Sequence, residues 1–147
     1  MVGEWKAAAV GDGEFGEEGV VEGKHVFTEA LGGKFIMGTH ESWEDERHVH
    51  DSIDLMYYDP GNDRILRKSA FSYGFVNNEV EYYRDEKTVR FEIVMEPHPE
   101  SEFFAGTRWR SFIEKVSNDE VRDGLDVARG DGDYESFGVT VLKRVKS

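Results

Sequence analysis

The feature that most constrains this chain is the regular return of turn chemistry. Turn-forming clusters recur at Gly32-Gly33, Glu44-Asp45-Glu46, Asp59-Pro60-Gly61-Asn62-Asp63, Asn77-Asn78, Asp85-Glu86, Pro97-His98-Pro99, Asn118-Asp119 and Gly130-Asp131-Gly132-Asp133. Each separates β-branched and aromatic segments of strand length, the spacing of successive antiparallel hairpins. From Thr88 to Glu96, Val89, Phe91, Ile93 and Met95 alternate with Thr88, Arg90, Glu92 and Glu96, with Val94 the exception on the polar face. This is the period of two of a half-buried strand. Lys6 to Val10 and Asn118 to Ala128 could each hold a helical turn, but neither sustains an apolar stripe at helical spacing. The pattern predicts about ten strands, at 5–11, 18–30, 34–43, 48–58, 64–75, 79–84, 88–96, 105–116, 120–128 and 135–145.

Short-looped antiparallel strands must deal with their exposed edges, and closing the sheet on itself removes them. The expected fold is therefore all-β: one up-and-down antiparallel barrel, lipocalin- or fatty-acid-binding-protein-like, over 1–147. A sandwich is the competing fold and would want longer crossover connections. About eight strands enclose just enough room for side chains or one small ligand, so about ten predict a cavity.

Charge narrows the partners. Against 31 Asp+Glu stand 18 Lys+Arg, a formal net charge of −13. Nucleic acid and anionic membranes would meet long-range repulsion, so neither is an expected partner. The 19 aromatics (3 Trp, 6 Tyr and 10 Phe) supply the apolar bodies that disordered chains lack. The absence of Cys excludes disulfides, thiol nucleophiles and Cys-ligated zinc. No basic-then-apolar leader and no run of about 20 apolar residues is present, so a cytoplasmic location is expected.

Val2-Gly3-Glu4-Trp5, Gly33-Lys34-Phe35 leading to Trp43, His50 through Asp59-Pro60, and Val141-Leu142-Lys143-Arg144-Val145 follow one another along almost the whole chain. In this order they resemble the calycin group's lipocalin-like barrels, most nearly the nitrobindin-type barrels and their uncharacterised bacterial and archaeal relatives. The resemblance implies a ten-stranded barrel with one apolar pocket and places His50 on the pocket wall. It would also imply haem, held through a histidine close to the C-terminus. The histidines here are His25, His40, His48, His50 and His98, and none follows residue 98. The expectation is therefore of no cofactor, with haem the minority alternative.

Two imidazoles in His48-Val49-His50 would share a face of a straight strand, a spacing that suits a metal if Asp54, His25 or His40 supplied a third ligand. Solvent-facing or hydrogen-bonded histidines are the plainer reading. The facing of this strand is open. Either Val49, Ile53, Leu55 and Tyr57 point inward, or His50, Ser52, Asp54, Met56 and Tyr58 do. The second choice leaves an apolar outer face that a homodimer would cover. Aromatics on strands either fill the core or line the pocket. Phe71, Tyr73, Phe91 and Trp109 join His50 as expected ligand contacts, Tyr73 and Trp109 also offering a hydrogen bond. Arg108 and Arg110 are expected to face solvent.

The chain holds no Gly-X-Ser-X-Gly elbow, phosphate-binding glycine loop or His-Glu-X-X-His. Binding a small, largely apolar molecule without catalysis is the leading expectation. The alternatives are a haem or metal barrel using His50 or His48, and a small lyase, isomerase or hydrolase in which His50 and Asp54 act as acid and base.

Overall fold

A computed structural model describes residues 1–11, 21–44, 46–72, 74, 76–95 and 105–146. Ten strands run in chain order: β1 (Gly3–Gly11), β2 (Val21–Ala30), β3 (Phe35–Glu44), β4 (Arg47–Asp59), β5 (Arg64–Phe71), β6 (Val76–Arg84), β7 (Thr88–Met95), β8 (Thr107–Lys115), β9 (Glu120–Arg129) and β10 (Glu135–Arg144). Every strand is antiparallel to its chain neighbours, and β1 closes on β10 from Trp5↔Arg144 to Gly11↔Gly138. The result is an up-and-down closed barrel with no sheet edge, as the turn spacing predicts. Both stretches that could have held a helical turn lie in strands, β1 and β9. Among the described residues there is no helix, and so none long and apolar enough to cross a membrane.

One expected turn is not a turn. Asn77 and Asn78 lie inside β6, paired with Ser69 and Lys68 of β5. Asparagine favours turns because its side chain can replace backbone partners. Here Asn77 is buried and faces the polar barrel interior, so tertiary context overrides that preference.

Alternation sends one residue in two inward. At one end, the base, the inward set is Trp5, Phe27, Phe91, Ile113, Val121 and Leu142, all buried, with Met1, Ile36, Met56, Ile65 and Val89 packed around them. At the outer end of the base an open cleft of about 470 Å³ is lined by Met1, Trp5, Lys87, Val89, Lys115 and Arg144 among others. Inside it the base is filled: a cavity of about 10 Å³ remains, lined by Met1, Phe27, Met56, Arg67 and their neighbours. That is room for one water molecule at most.

The outer face of β3 to β6 reverses the usual pattern. Three cross-strand rows read Phe35–Tyr57–Leu66–Val80, Met37–Leu55–Lys68–Asn78 and Thr39–Ile53–Ala70–Val76. Within β3 to β6 these rows contain no carboxylate and one charged residue, Lys68; on β7 the first meets Glu92 and the second Val94. Ile53 is 55% and Val94 60% exposed. This settles the facing of β4: Asp54 and Met56 point in, Ile53 points out, and Tyr58 is exposed at the strand's end.

Candidate functional site

Directly above the apolar base lies a layer of buried polar side chains. The inward face of β5 carries Ile65, Arg67, Ser69 and Phe71 in alternation, so its middle brings a guanidinium into the barrel. Arg67 is gripped by Glu79 of β6 through Nε to Oε2 at 2.5 Å and Nη2 to Oε1 at 2.7 Å. Its Nη1 donates to Asp123 of β9 at 3.1 Å and its Nη2 to Ser111 Oγ at 3.2 Å. Ser69 and Ser111 donate to Glu79 at 3.1 and 2.6 Å. The guanidinium also lies over the Phe91 ring, 5.2 Å from its centre. Residues as far apart as 67 and 123 thus meet in one cluster.

Burial by itself disfavours the charged form of Arg67, but Asp123, Glu79 and Asp54 outweigh it and hold the guanidinium charged well beyond its ordinary range. The reverse holds at Asp123, where burial pushes the carboxyl up and Glu79 and Asp54 push the same way, against the pull of Arg67. Its side chain is nonetheless 25% exposed. It shares the inward face of β9 with Val121, so this exposure is to the barrel interior, deep below the rim.

A second pair stands beside the first. His40 of β3 meets Asp54 of β4 at 2.8 Å, Nε2 to Oδ2, and both are buried. Burial would raise Asp54, but the His40 hydrogen bond and the Arg67 charge win and bring it down to about 2. His25, opposite His40 in the β2–β3 register, sets its ring 4.0 Å from the His40 ring at 66°. Burial first, and then the charge His40 would carry, lower His25 to about 3, so its ring is neutral at physiological pH. Gly38 makes room for this group. A Cβ there would lie 2.8 Å from the Phe27 ring and 3.1 Å from His40 Nε2. Three polar atoms of the layer are buried without a hydrogen-bond partner: His25 Nδ1, His40 Nδ1 and Asn77 Oδ1.

Above the polar layer the same inward faces continue as His50, Phe71, Ile93, Met95, Trp109 and Leu125, which are half-buried, with Val127 beside Trp109 buried. Where β7 and β8 part beyond the Ile93↔Trp109 pair, an open cleft of about 480 Å³ lies between them, lined by inward Ile93, Met95 and Trp109 and by outward Glu92, Val94, Arg108 and Arg110 among others.

The sequence-predicted residues divide among these regions. His50 and Phe71 stack at the rim with ring centres 5.6 Å apart, and His50 Nδ1 lies 3.2 Å from Ser72 Oγ. Trp109 stands at the rim edge-on to Phe137 at 4.9 Å, its Nε1 donating to Thr107 Oγ1 at 2.8 Å. Phe91 is fully buried beneath Arg67 and supports the polar layer from below. Tyr73 lies outside the described residues, as does His98.

His48 and His50 do not share a face. The β3–β4 register shifts between Ser42↔His50 and Trp43↔His48, leaving Val49 as the extra residue of a bulge. His48 is turned out, exposed, and bonded to Asp51 at 2.6 Å. The metal spacing read from His48-Val49-His50 assumed a straight strand, and the bulge removes it. Among the described residues no group of three His, Asp or Glu could hold a metal. Nor does Asp54 pair with His50; its partner is His40. Arg108 and Arg110 face outward as expected, Arg108 donating to the carbonyls of Gly130 and Gly132, and Arg110 bonding Glu92 and lying over the Tyr134 ring at 4.1 Å.

The polar layer itself was missed. Only the alternation of charged and small polar residues along β5, β6 and β9 could have signalled it, and that pattern is indistinguishable locally from a solvated face.

The sequence matches no protein-family model and no curated protein. Among solved structures, Rv2717c from M. tuberculosis superposes with a TM-score of 0.70 at 17% identity, over 99% of this chain and 93% of that one. The S-type phycobiliprotein lyase CPES from Guillardia theta gives 0.62 at 13% identity, over 100% of this chain and 89% of that one. The fold, a ten-stranded up-and-down closed barrel of lipocalin-like form, is shared with both. At these identities the likeness is one of fold.

Proposed function

We propose that this barrel is a cytoplasmic protein that binds a small, largely apolar molecule in its rim half, against the aromatic wall and above the polar layer, without chemistry. The observation that carries the reading is the change along the inward faces. Leu142 and Phe91 are 0% exposed at the base, whereas Phe71, Ile93, Trp109 and Leu125, on inward faces nearer the rim, stay accessible. Apolar walls around a few convergent polar groups are the usual character of a ligand site. That one structural neighbour is a phycobiliprotein lyase supports use of such an interior for a ligand.

The His40–Asp54 pair has the hydrogen bonding of a general-base dyad, but His40 is 6% exposed and its Nδ1 is sealed from solvent, which favours a structural and binding role over proton transfer. The residues present do not fit haem. Strand β10 turns Gly138, Thr140 and Leu142 inward where the resemblance would want a histidine, and Arg67, the guanidinium of the polar layer, is already held by Glu79 and Asp123 rather than open to propionates. We further propose that the largely apolar middle of the outer face of β3 to β6 pairs with a second copy of the chain.

The test is titration with the neutral fluorophore N-phenyl-1-naphthylamine, whose emission rises on leaving water. Trp109→Ala and Phe71→Ala are each expected to weaken its binding about tenfold, by truncating wall aromatics. Unchanged affinity in both, in proteins that still melt cooperatively, would overturn the site.

A further inference from the structure

The polar layer is short of positive charge. It turns three carboxylates inward, Glu79, Asp123 and Asp54, against the single guanidinium of Arg67. His25 is neutral at physiological pH. With His40 in either protonation state, the carboxylates outnumber the cations. Every nitrogen of Arg67 is already engaged: Nε and Nη2 with Glu79, Nη2 also with Ser111, and Nη1 with Asp123. An incoming carboxylate would have to break this buried pairing, which strands a charge and costs several times what an exposed pair would.

The layer is furnished with acceptors. Asp123 accepts from Arg67 through Oδ2 yet keeps a quarter of its side chain accessible inside the barrel. Asn77 sits on β6 two residues from Glu79, is 8% exposed, and leaves its Oδ1 without a partner. His40 Nε2 shares its hydrogen bond with Asp54, and its other ring nitrogen, Nδ1, is buried without a partner. The raised carboxyl of Asp123 is the electrostatic counterpart, since one cation is not enough to offset its burial and two like-charged neighbours.

Resting on the reading that the rim half holds an apolar ligand, we propose that the polar layer selects ligands whose inner end is a protonated amine, held by Asp123 with Asn77 beside it, and rejects those ending in a carboxylate. The amine supplies the missing positive charge and donors to acceptors that otherwise lack them. Charge-assisted bonds of this kind are about twice as strong as neutral ones.

The experiment compares 1-naphthylmethylamine with 1-naphthoate by calorimetry on the full chain. About 0.5 M salt keeps the protein's overall negative charge from attracting amines unspecifically, because the screening length then falls to a few ångströms. The amine is expected to bind at least about tenfold more tightly than the carboxylate. Asp123→Asn is expected to bring the two within about threefold, while affinity for neutral N-phenyl-1-naphthylamine stays as in the unaltered protein. Should Asp123→Asn not fold, Asn77→Ala is the substitute and is expected to weaken the amine alone. Equal or tighter binding of naphthoate while the neutral fluorophore binds would overturn the selectivity and leave the apolar site standing. An amine preference that survives the folded variant would overturn the assignment to Asp123. Failure of all three probes would overturn the site reading and this inference with it.

Discussion

At the scale of the residue, the interior histidine His25 sets how this protein meets acid. Its folded-state pKa is about 3, against an ordinary 6.5, because burial and the nearby His40 disfavour the charged ring. The unfolded chain therefore takes up a proton below about 6.5 that the folded chain refuses until about 3, so acidification across that window removes stability, at up to about 1.4 kcal/mol per pH unit for one proton. His50, lowered mainly by burial, acts in the same direction. Asp54, at about 2 rather than 3.8, adds a further loss only below its ordinary value. Asp123 opposes them: raised in the folded state, it binds its proton earlier than the unfolded chain does and gains stability on acidification. Urea midpoints measured from pH 7 to pH 4 are expected to fall steadily, and the fall is expected to be shallower in His25→Gln. Parallel curves for the two proteins would show that His25 is not the group responsible.

At the scale of the element, neighbouring strands impose facts that no single strand carries. On β8 and β9 the Phe112 ring lies across Gly124, its register partner, where an added Cβ would stand 2.2 Å from the ring. Gly124→Ala must push the ring aside and is expected to cost about 1–3 kcal/mol, the range for overpacking. Phe112→Leu in the same chain is expected to recover part of that loss, because neighbours in contact do not add independently. Simple additivity of the two changes in urea melts would rule out the ring as the cause. The β3–β4 bulge at Val49 is another such fact. The alternation of β7, from Val89 to Met95, was legible because its inward residues are apolar and its outward ones mostly polar. On β4 and β5 the sides are exchanged: Ile53, Leu55 and Leu66 face out while Asp54, Arg67 and Ser69 face in. Hydrophobicity alone therefore points the wrong way there.

At the scale of the whole molecule, the same exchange gives the barrel one outer sector unlike the rest. A chain of net charge −13 repels a second copy over most of its surface, but across β3 to β6 the rows running from Phe35 to Val80 and from Met37 to Asn78 offer largely apolar contact, with the carboxylates Glu41, Asp51 and Glu92 only at its borders. Contiguous exposed apolar surface of this kind is characteristic of interfaces. Sedimentation equilibrium is expected to give the mass of two chains, and Ile53→Lys with Leu55→Lys is expected to give one chain without lowering the melting cooperativity. A unaltered chain that sediments as a monomer at all concentrations would remove the interface.

The barrel follows from the sequence by itself, because strand length, turn spacing and the need to remove sheet edges are local or additive properties of the chain. So does the exclusion of thiol chemistry, and so does the presence of His50, Phe71 and Trp109 on strands that reach the rim. Only the tertiary structure decided which face of β4 turns inward, that His48 and His50 part company, and that Arg67, Glu79 and Asp123 meet. The reason is that a buried charge is tolerable only beside its partners. Here those partners arrive from strands up to 56 residues away, so whether Arg67 faces solvent or ligand cannot be read until the barrel has closed.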